Sequence, residues 1–138
     1  MKNIIILLFF ALTIFSCREE YTPLVPLNEV AVINGTPKSV GELKDGNRRK
    51  ASGKVSIFTN GTVSQVAFEN IMVENGPNLY VYLSQEIDPK SYVDLGLLRS
   101  TKGNQVYDVP KAVKASDYKY LLIYCKRFSY LYGVAELK

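Results

Sequence analysis

Apolar and polar residues alternate with a period of two along most of this chain, and after residue 16 no stretch sustains a 3.6-residue apolar period beyond two turns. Residues 54–58 (KVSIF) and 62–68 (TVSQVAF) are β-prone runs joined through Thr59-Asn60-Gly61. An Asn-Gly pair between such runs is the strongest short-range signal for a hairpin. After the turn residues Gly76-Pro77-Asn78 comes LYVYL, which puts Leu79, Val81 and Leu83 on one face and Tyr80 and Tyr82 on the other. Both faces are apolar, as expected of a strand packed on both sides. Residues 91–98 and 105–109 predict two more strands, the second halted by Pro110, with a polar turn over 100–104 between them. Residues 111–118 are polar and have room for one short helical turn.

The chain closes on its most apolar and aromatic globular stretch, residues 121–137 (LLIYCKRFSYLYGVAEL). There Leu121, Ile123 and Cys125 share one face of a strand. Beyond Lys126-Arg127, Phe128, Tyr130, Tyr132 and Val134 share a face of the next. With turn signals every ten or so residues, the pattern predicts an all-β fold: a single β-sandwich or barrel-like domain over residues 40–138.

The first residues read differently. Met1-Lys2-Asn3 precedes twelve nearly unbroken apolar residues, 4–15, which match the n-region and h-region of a secretory signal. A spanning helix needs about 20 apolar residues, so the run is too short to be one. Ser16-Cys17 at its end resembles the lipobox of bacterial lipoproteins, although Ile14 and Phe15 stand where that box more often has Leu and a small residue. The resemblance implies a cleaved signal peptide over residues 1–16 and a lipidated Cys17 that anchors the chain in a bilayer. Arg18-Glu19-Glu20 looks like the surface-export signal of some bacterial lipoproteins, which implies an outer-membrane lipoprotein of the cell envelope, exposed at the surface. Residues 17–39 then form a short tether with Asn34-Gly35 as a turn and residues 30–33 as a short edge strand. Fully extended, residues 18–38 span at most about 70 Å.

Composition narrows the chemistry. Removing the leader leaves one domain's worth of chain and, without Lys2, lowers the formal net charge from +4 to +3. Basic residues are dispersed apart from Arg48-Arg49-Lys50, so nucleic acid is not an expected partner. The chain has no histidine, which removes Ser-His-Asp and Cys-His catalysis, His-rich metal sites and histidine-ligated haem. No G-x-G-x-x-G or P-loop pattern occurs, no carboxylate spacing signals an acid/base pair, and no metal site is expected. The sequons at Asn34 and Asn60 read as tight turns.

One thiol, Cys125, is left in the domain, and with Cys17 lipidated it has no partner for an internal disulfide. Two readings stay open. Cys125 is a redox-active thiol or a cofactor ligand, reachable by solvent and activated by Lys126-Arg127; or it is a buried residue that fills space.

Five motifs in order carry a family likeness: Ser52-Gly-Lys-Val with its hairpin, Gly76-Pro-Asn-Leu-Tyr-Val-Tyr-Leu-Ser84, Val93-Asp-Leu-Gly-Leu-Leu98, Gly103-Asn-Gln-Val-Tyr107 with Val109-Pro110, and Tyr124-Cys-Lys-Arg-Phe128 with the run to Leu137. Together they resemble the DM-thirteen domain, an extracellular module of bacterial lipoproteins and, beside DOMON domains, of animal cell-surface proteins of the Skeletor type. The resemblance implies a β-rich fold, a role in electron transfer, and Cys125 as the family's redox or haem-binding cysteine. Many members also carry a histidine before the first strand, where this chain has Arg49-Lys50-Ala51, and its absence weakens the haem reading. The function expected is thus a membrane-anchored redox accessory, with a redox or protein partner at the cell envelope and no turnover enzyme. The alternative is a non-enzymatic binding or structural module in which the tyrosines supply partner contacts and the cysteine is packing.

Overall fold

The computed structural model describes residues 21–138; the leader, Cys17 and the export-like tripeptide lie outside the described residues. Among the described residues nine strands form one sheet: β1 (Leu27–Asn28), β2 (Ser39–Asp45), β3 (Ala51–Thr59), β4 (Ser64–Val73), β5 (Leu79–Ser84), β6 (Tyr92–Leu97), β7 (Lys102–Val109), β8 (Tyr120–Cys125) and β9 (Tyr130–Glu136). Among the described residues the only helical piece is a 3₁₀ turn at Ala115–Asp117, inside the loop where one short turn was expected. The strand order is β1-β7-β4-β3-β2-β9-β8-β5-β6. All neighbours are antiparallel except the β1–β7 pair. The expected all-β domain is therefore present as a single sheet curled into a half-barrel. Among the described residues no helix is long and apolar enough to cross a membrane.

Two features curl the sheet. First, β2 is shared: residues 39–43 pair with β3, and Lys44 and Asp45 pair with β9. Second, bulges interrupt the β3–β4 and β4–β7 ladders at neighbouring positions, near Gly53 and Asn70. Gly53 and Asn70 hold φ of 130° and 49°, and Gly103 opposite holds 91°. Bulges bend the strand and raise its local twist, so aligned bulges bend the sheet along one line.

The concave face carries the main core, with Val55, Val66, Phe68, Leu79, Val81, Leu83, Leu121, Ile123 and Cys125 all at zero exposure. Each buried aliphatic side chain of this kind contributes roughly 1.5–3 kcal/mol. The alternation expected for β5 is borne out. Leu79, Val81 and Leu83 enter this core, while Tyr82 joins Leu122 and Leu131 in a smaller cluster on the convex face, flanked by Tyr80, Tyr120 and Tyr124.

Because sheet neighbours alternate in direction, the β2–β3, β4–β5, β6–β7 and β8–β9 connections all fall at one end, called here the lower end. The chain also enters there, since β1 runs parallel to β7.

Three expectations need correction. In β9, Tyr132 has no partner in β8, because the register shifts between Ile123–Gly133 and Tyr124–Leu131. The bulge reverses the phase: Tyr130 and Tyr132 pack on the main core, Val134 on the convex cluster, and Phe128 sits exposed in the turn. Residues 102–104 of the expected polar turn belong to β7, where Lys102 and Gly103 pair with Met72 and Ile71. The N-terminal segment is not a free tether. From Tyr21 it is docked along the domain, and its strand is Leu27–Asn28, not residues 30–33.

Thr101 N–H donates to Pro23 O at 2.9 Å and Ser100 Oγ to Val25 O at 2.7 Å. Arg99 then grips both carboxylate oxygens of Glu29, which also accepts from Val106 N–H at 2.8 Å. The reach of the chain before the domain is shortened accordingly.

The seam is testable. A Cβ at Gly41 would lie 2.5 Å from the Glu136 carbonyl oxygen, a backbone atom that cannot swing aside. The Gly41→Ala chain is expected to lose about 1–3 kcal/mol of stability in a denaturant titration.

Candidate functional site

Cys125 ends β8 at the lower end of the sheet, paired with Leu79, the first residue of β5, and with Tyr130, the first of β9. Its parity with Leu121 and Ile123 turns the side chain into the main core, and its exposure is zero. The thiol donates to the Pro77 carbonyl oxygen, with Sγ 3.1 Å away.

The acceptor is held by a tight turn. Gly76 and Pro77 are buried, and Asn78 takes a left-handed φ of 51°, which asparagine tolerates better than most residues. Gly76 is required by the packing, because a Cβ there would collide with the Tyr132 phenol. Over this turn lies the start of the docked segment: Tyr21 forms an antiparallel bridge with Pro77, and Thr22, itself buried, donates its backbone N–H to Gly76 O at 3.4 Å. Asn78 O accepts from Lys126 N–H, which ties the turn to the β8–β9 turn.

The other wall is aromatic. Tyr132 and Tyr130 meet edge to face with ring centroids 6.1 Å apart. The Arg49 guanidinium lies 5.2 Å from the Tyr132 centroid and 5.6 Å from that of Tyr130, within cation–π range. Arg49 is ion-paired with Glu74, whose carboxylate also accepts from Lys50 N–H. The paired guanidinium holds the Glu74 carboxyl below its ordinary pKa and is itself raised by it. Burial raises the Tyr132 phenol, and Arg49 opposes that rise. The region where the resemblance places a histidine thus supplies Arg49, which covers the rings beside the thiol.

The expected activation of the thiol by its neighbours in sequence is corrected. The pleat turns Lys126 away to the convex face, where its Nζ sits 5.1 Å from the Tyr80 centroid and 3.8 Å from an Asp94 oxygen. The Arg127 guanidinium lies over the Phe128 ring. Nor does the site fit a haem: an axial sulfur must face an open plane, and here Sγ is sealed under Pro77. Among the described residues no group of three or more His, Cys, Asp or Glu is placed to hold a metal ion.

Sequence reasoning singled out Cys125 and missed Arg49, Pro77, Tyr132 and Tyr21 as its surroundings. Only the abundance of tyrosine hinted at a second feature, on the convex face. There Tyr82 is covered by Tyr92 at a centroid distance of 4.3 Å, with Tyr124 at 5.7 Å and Tyr80 at 6.2 Å. Burial raises the Tyr82 phenol far above its ordinary pKa, and Asp94 adds to the rise. Tyr92 is 41% exposed, so this cluster is a partly open tyrosine surface on the face opposite the thiol.

Two outcomes follow from this geometry. Replacing Gly76→Ala forces the turn or the Tyr132 ring to move, and alkylation of Cys125 in the folded chain is expected to speed up at least about tenfold. The second concerns pH. Arg99 lowers the Glu29 pKa from its ordinary 4.5 through their hydrogen bonds, so the stabilisation is complete above 4.5 and is lost as pH falls through the depressed value. Hydrogen exchange at residues 21–29 is expected to rise over that acid range before the core opens, and Glu29→Gln to remove most of the dependence.

Neither the search of curated proteins nor that of solved structures returned a match. The family model described as "Electron transfer DM13" matches residues 42–137, which include β3 to β9, Cys125 and most of β2. The chain belongs to the electron transfer DM13 family.

Proposed function

We propose that this chain is a cell-envelope lipoprotein, anchored through acylated Cys17, whose DM13 domain acts as a redox accessory with Cys125 as the group that changes oxidation state. Membership of an electron-transfer family supports a redox role. The observation that carries the assignment to Cys125 is that it is the free cysteine within the matched residues; its zero exposure departs from the solvent-reachable thiol expected, so access depends on the turn and docked segment that cover it. Such a thiol is shielded from solvent at rest. It reacts when the Gly76–Asn78 turn opens and admits an oxidant. With a peroxide, the sulfur takes one oxygen to become a sulfenic acid and water leaves. With a disulfide, the sulfur forms a mixed disulfide and a thiol leaves.

The test exposes the folded full-length chain to hydrogen peroxide with a sulfenate trap, and separately to an aromatic disulfide, and follows Cys125 by mass. Modification in the folded state is expected, faster in a Thr22→Pro chain that lacks the N–H donor to Gly76. Should Cys125 remain reduced in both folded chains while the denatured chain reacts, the residue is packing.

The second reading, a binding module, is favoured by the tyrosine cluster on the convex face. It predicts that Cys125→Ser leaves function unchanged while Tyr92→Ala abolishes it.

A further inference from the structure

Where the docked segment begins fixes which part of the domain lies nearest the anchor. Tyr21 is bridged to Pro77 at the lower end, and Cys17 is four residues earlier. Four peptide units span at most about 14 Å, so the acylated cysteine cannot stand farther than that from Tyr21. The lower end also differs in surface chemistry. Tyr21, Leu24, Val25 and Phe128 are 55%, 56%, 72% and 60% exposed there, two aromatic and two aliphatic side chains on turns or at the chain entry. Val30 and Val32 are as exposed but lie farther up the flank, beside Gln65.

Charge follows the same division. The four lower connections (residues 46–50, 74–78, 98–101 and 126–129) carry six basic residues against one acidic. The four upper ones (29–38, 60–63, 85–91 and 110–119) carry five against four. Within the domain Arg49, Lys50, Arg99 and Lys126 are ion-paired. The excess is therefore modest, and the apolar side chains supply most of the contact. Aromatic tips with interspersed Lys and Arg are the chemistry of a surface that sits in the headgroup region of an anionic bilayer.

We infer that the lower end of the half-barrel is a membrane-docking surface, with Tyr21, Leu24, Val25 and Phe128 inserted at the headgroup level of the bilayer that holds Cys17. The inference rests on the anchoring proposed above and adds an orientation to it: the strands stand on the membrane, and the turn over Cys125 faces the lipid. An acyl chain and an interfacial surface together provide the two attachments that stable anchoring needs.

The chain contains no tryptophan, so one introduced tryptophan reports its own surroundings. The full-length protein, processed in a bacterial host, is reconstituted into phosphatidylethanolamine–phosphatidylglycerol vesicles with brominated acyl chains. Three chains are compared: Phe128→Trp and Tyr21→Trp at the lower end, and Thr62→Trp on the exposed β3–β4 turn at the upper end. All should float with the vesicles. Emission from the two lower reporters is expected to be quenched and shifted to shorter wavelength, with that from Thr62→Trp unchanged. Floating chains in which the lower reporters are unquenched, or all three quenched alike, overturn the orientation and leave the anchor standing. Chains that do not float overturn both.

Discussion

Hydrogen bonding along β2 is what makes one body of this chain. Residues 39–43 close the ladder with β3, and Lys44 and Asp45 close that with β9. Beyond the ladder, Val40 and Lys138 exchange backbone hydrogen bonds at 2.9 Å in both directions, so the last residue is stitched to the same strand. A strand that serves two partners along its length must turn between their directions, and the sheet curls with it. Without the seam the β3–β4–β7 layer and the β9–β8–β5 layer would each expose an apolar face. Stability of the core and curvature of the sheet therefore depend on the same few bonds.

Curvature in turn decides what can be buried at the lower end. The β4–β5 turn closes over the first residues of β5 and β9 and the last of β8, which places a carbonyl, a thiol and two phenol rings in one apolar corner. Arg49 completes it from the β2–β3 connection, neutralised by Glu74 from the β4–β5 connection. Both partners are about two-fifths exposed, so the pair itself contributes little to stability. Its role is positional: it holds a guanidinium over rings that pack beside the sulfur. The thiol is thus insulated by a set of contacts none of which is a catalytic base.

Much of this was legible in the sequence because a strand has a strict period. Parity alone placed Leu121, Ile123 and Cys125 inside and separated Leu79, Val81 and Leu83 from Tyr80 and Tyr82. The Asn60-Gly61 turn was legible too: Asn60 Oδ1 accepts from both Thr62 and Val63 N–H at 3.0 Å, an arrangement local in sequence. What failed was whatever depends on partners far along the chain. A bulge opposite Ile123–Tyr124 shifted the parity of Val134, and no local signal marks a bulge that a neighbouring strand imposes. Likewise, nothing near Glu29 reveals that Arg99 waits seventy positions on, so a docked segment read as a linker. The place of Arg49 over Tyr132 was hidden for the same reason, since the two meet only after β2 reaches β9.

The anchor proposed at Cys17 would also be a point of mechanical load. The docked segment enters at the lower end and runs parallel to β7, so tension on the chain before Tyr21 pulls along the strand axis and loads its bonds in shear. The first to bear it are the Tyr21–Pro77 bridge and the Thr22–Gly76 bond, ahead of Pro23, Val25 and the Glu29–Arg99 pair. Those two lie directly over the carbonyl that accepts the Cys125 proton. Force applied from the N-terminal side is therefore felt at the sulfur before it is felt by the core.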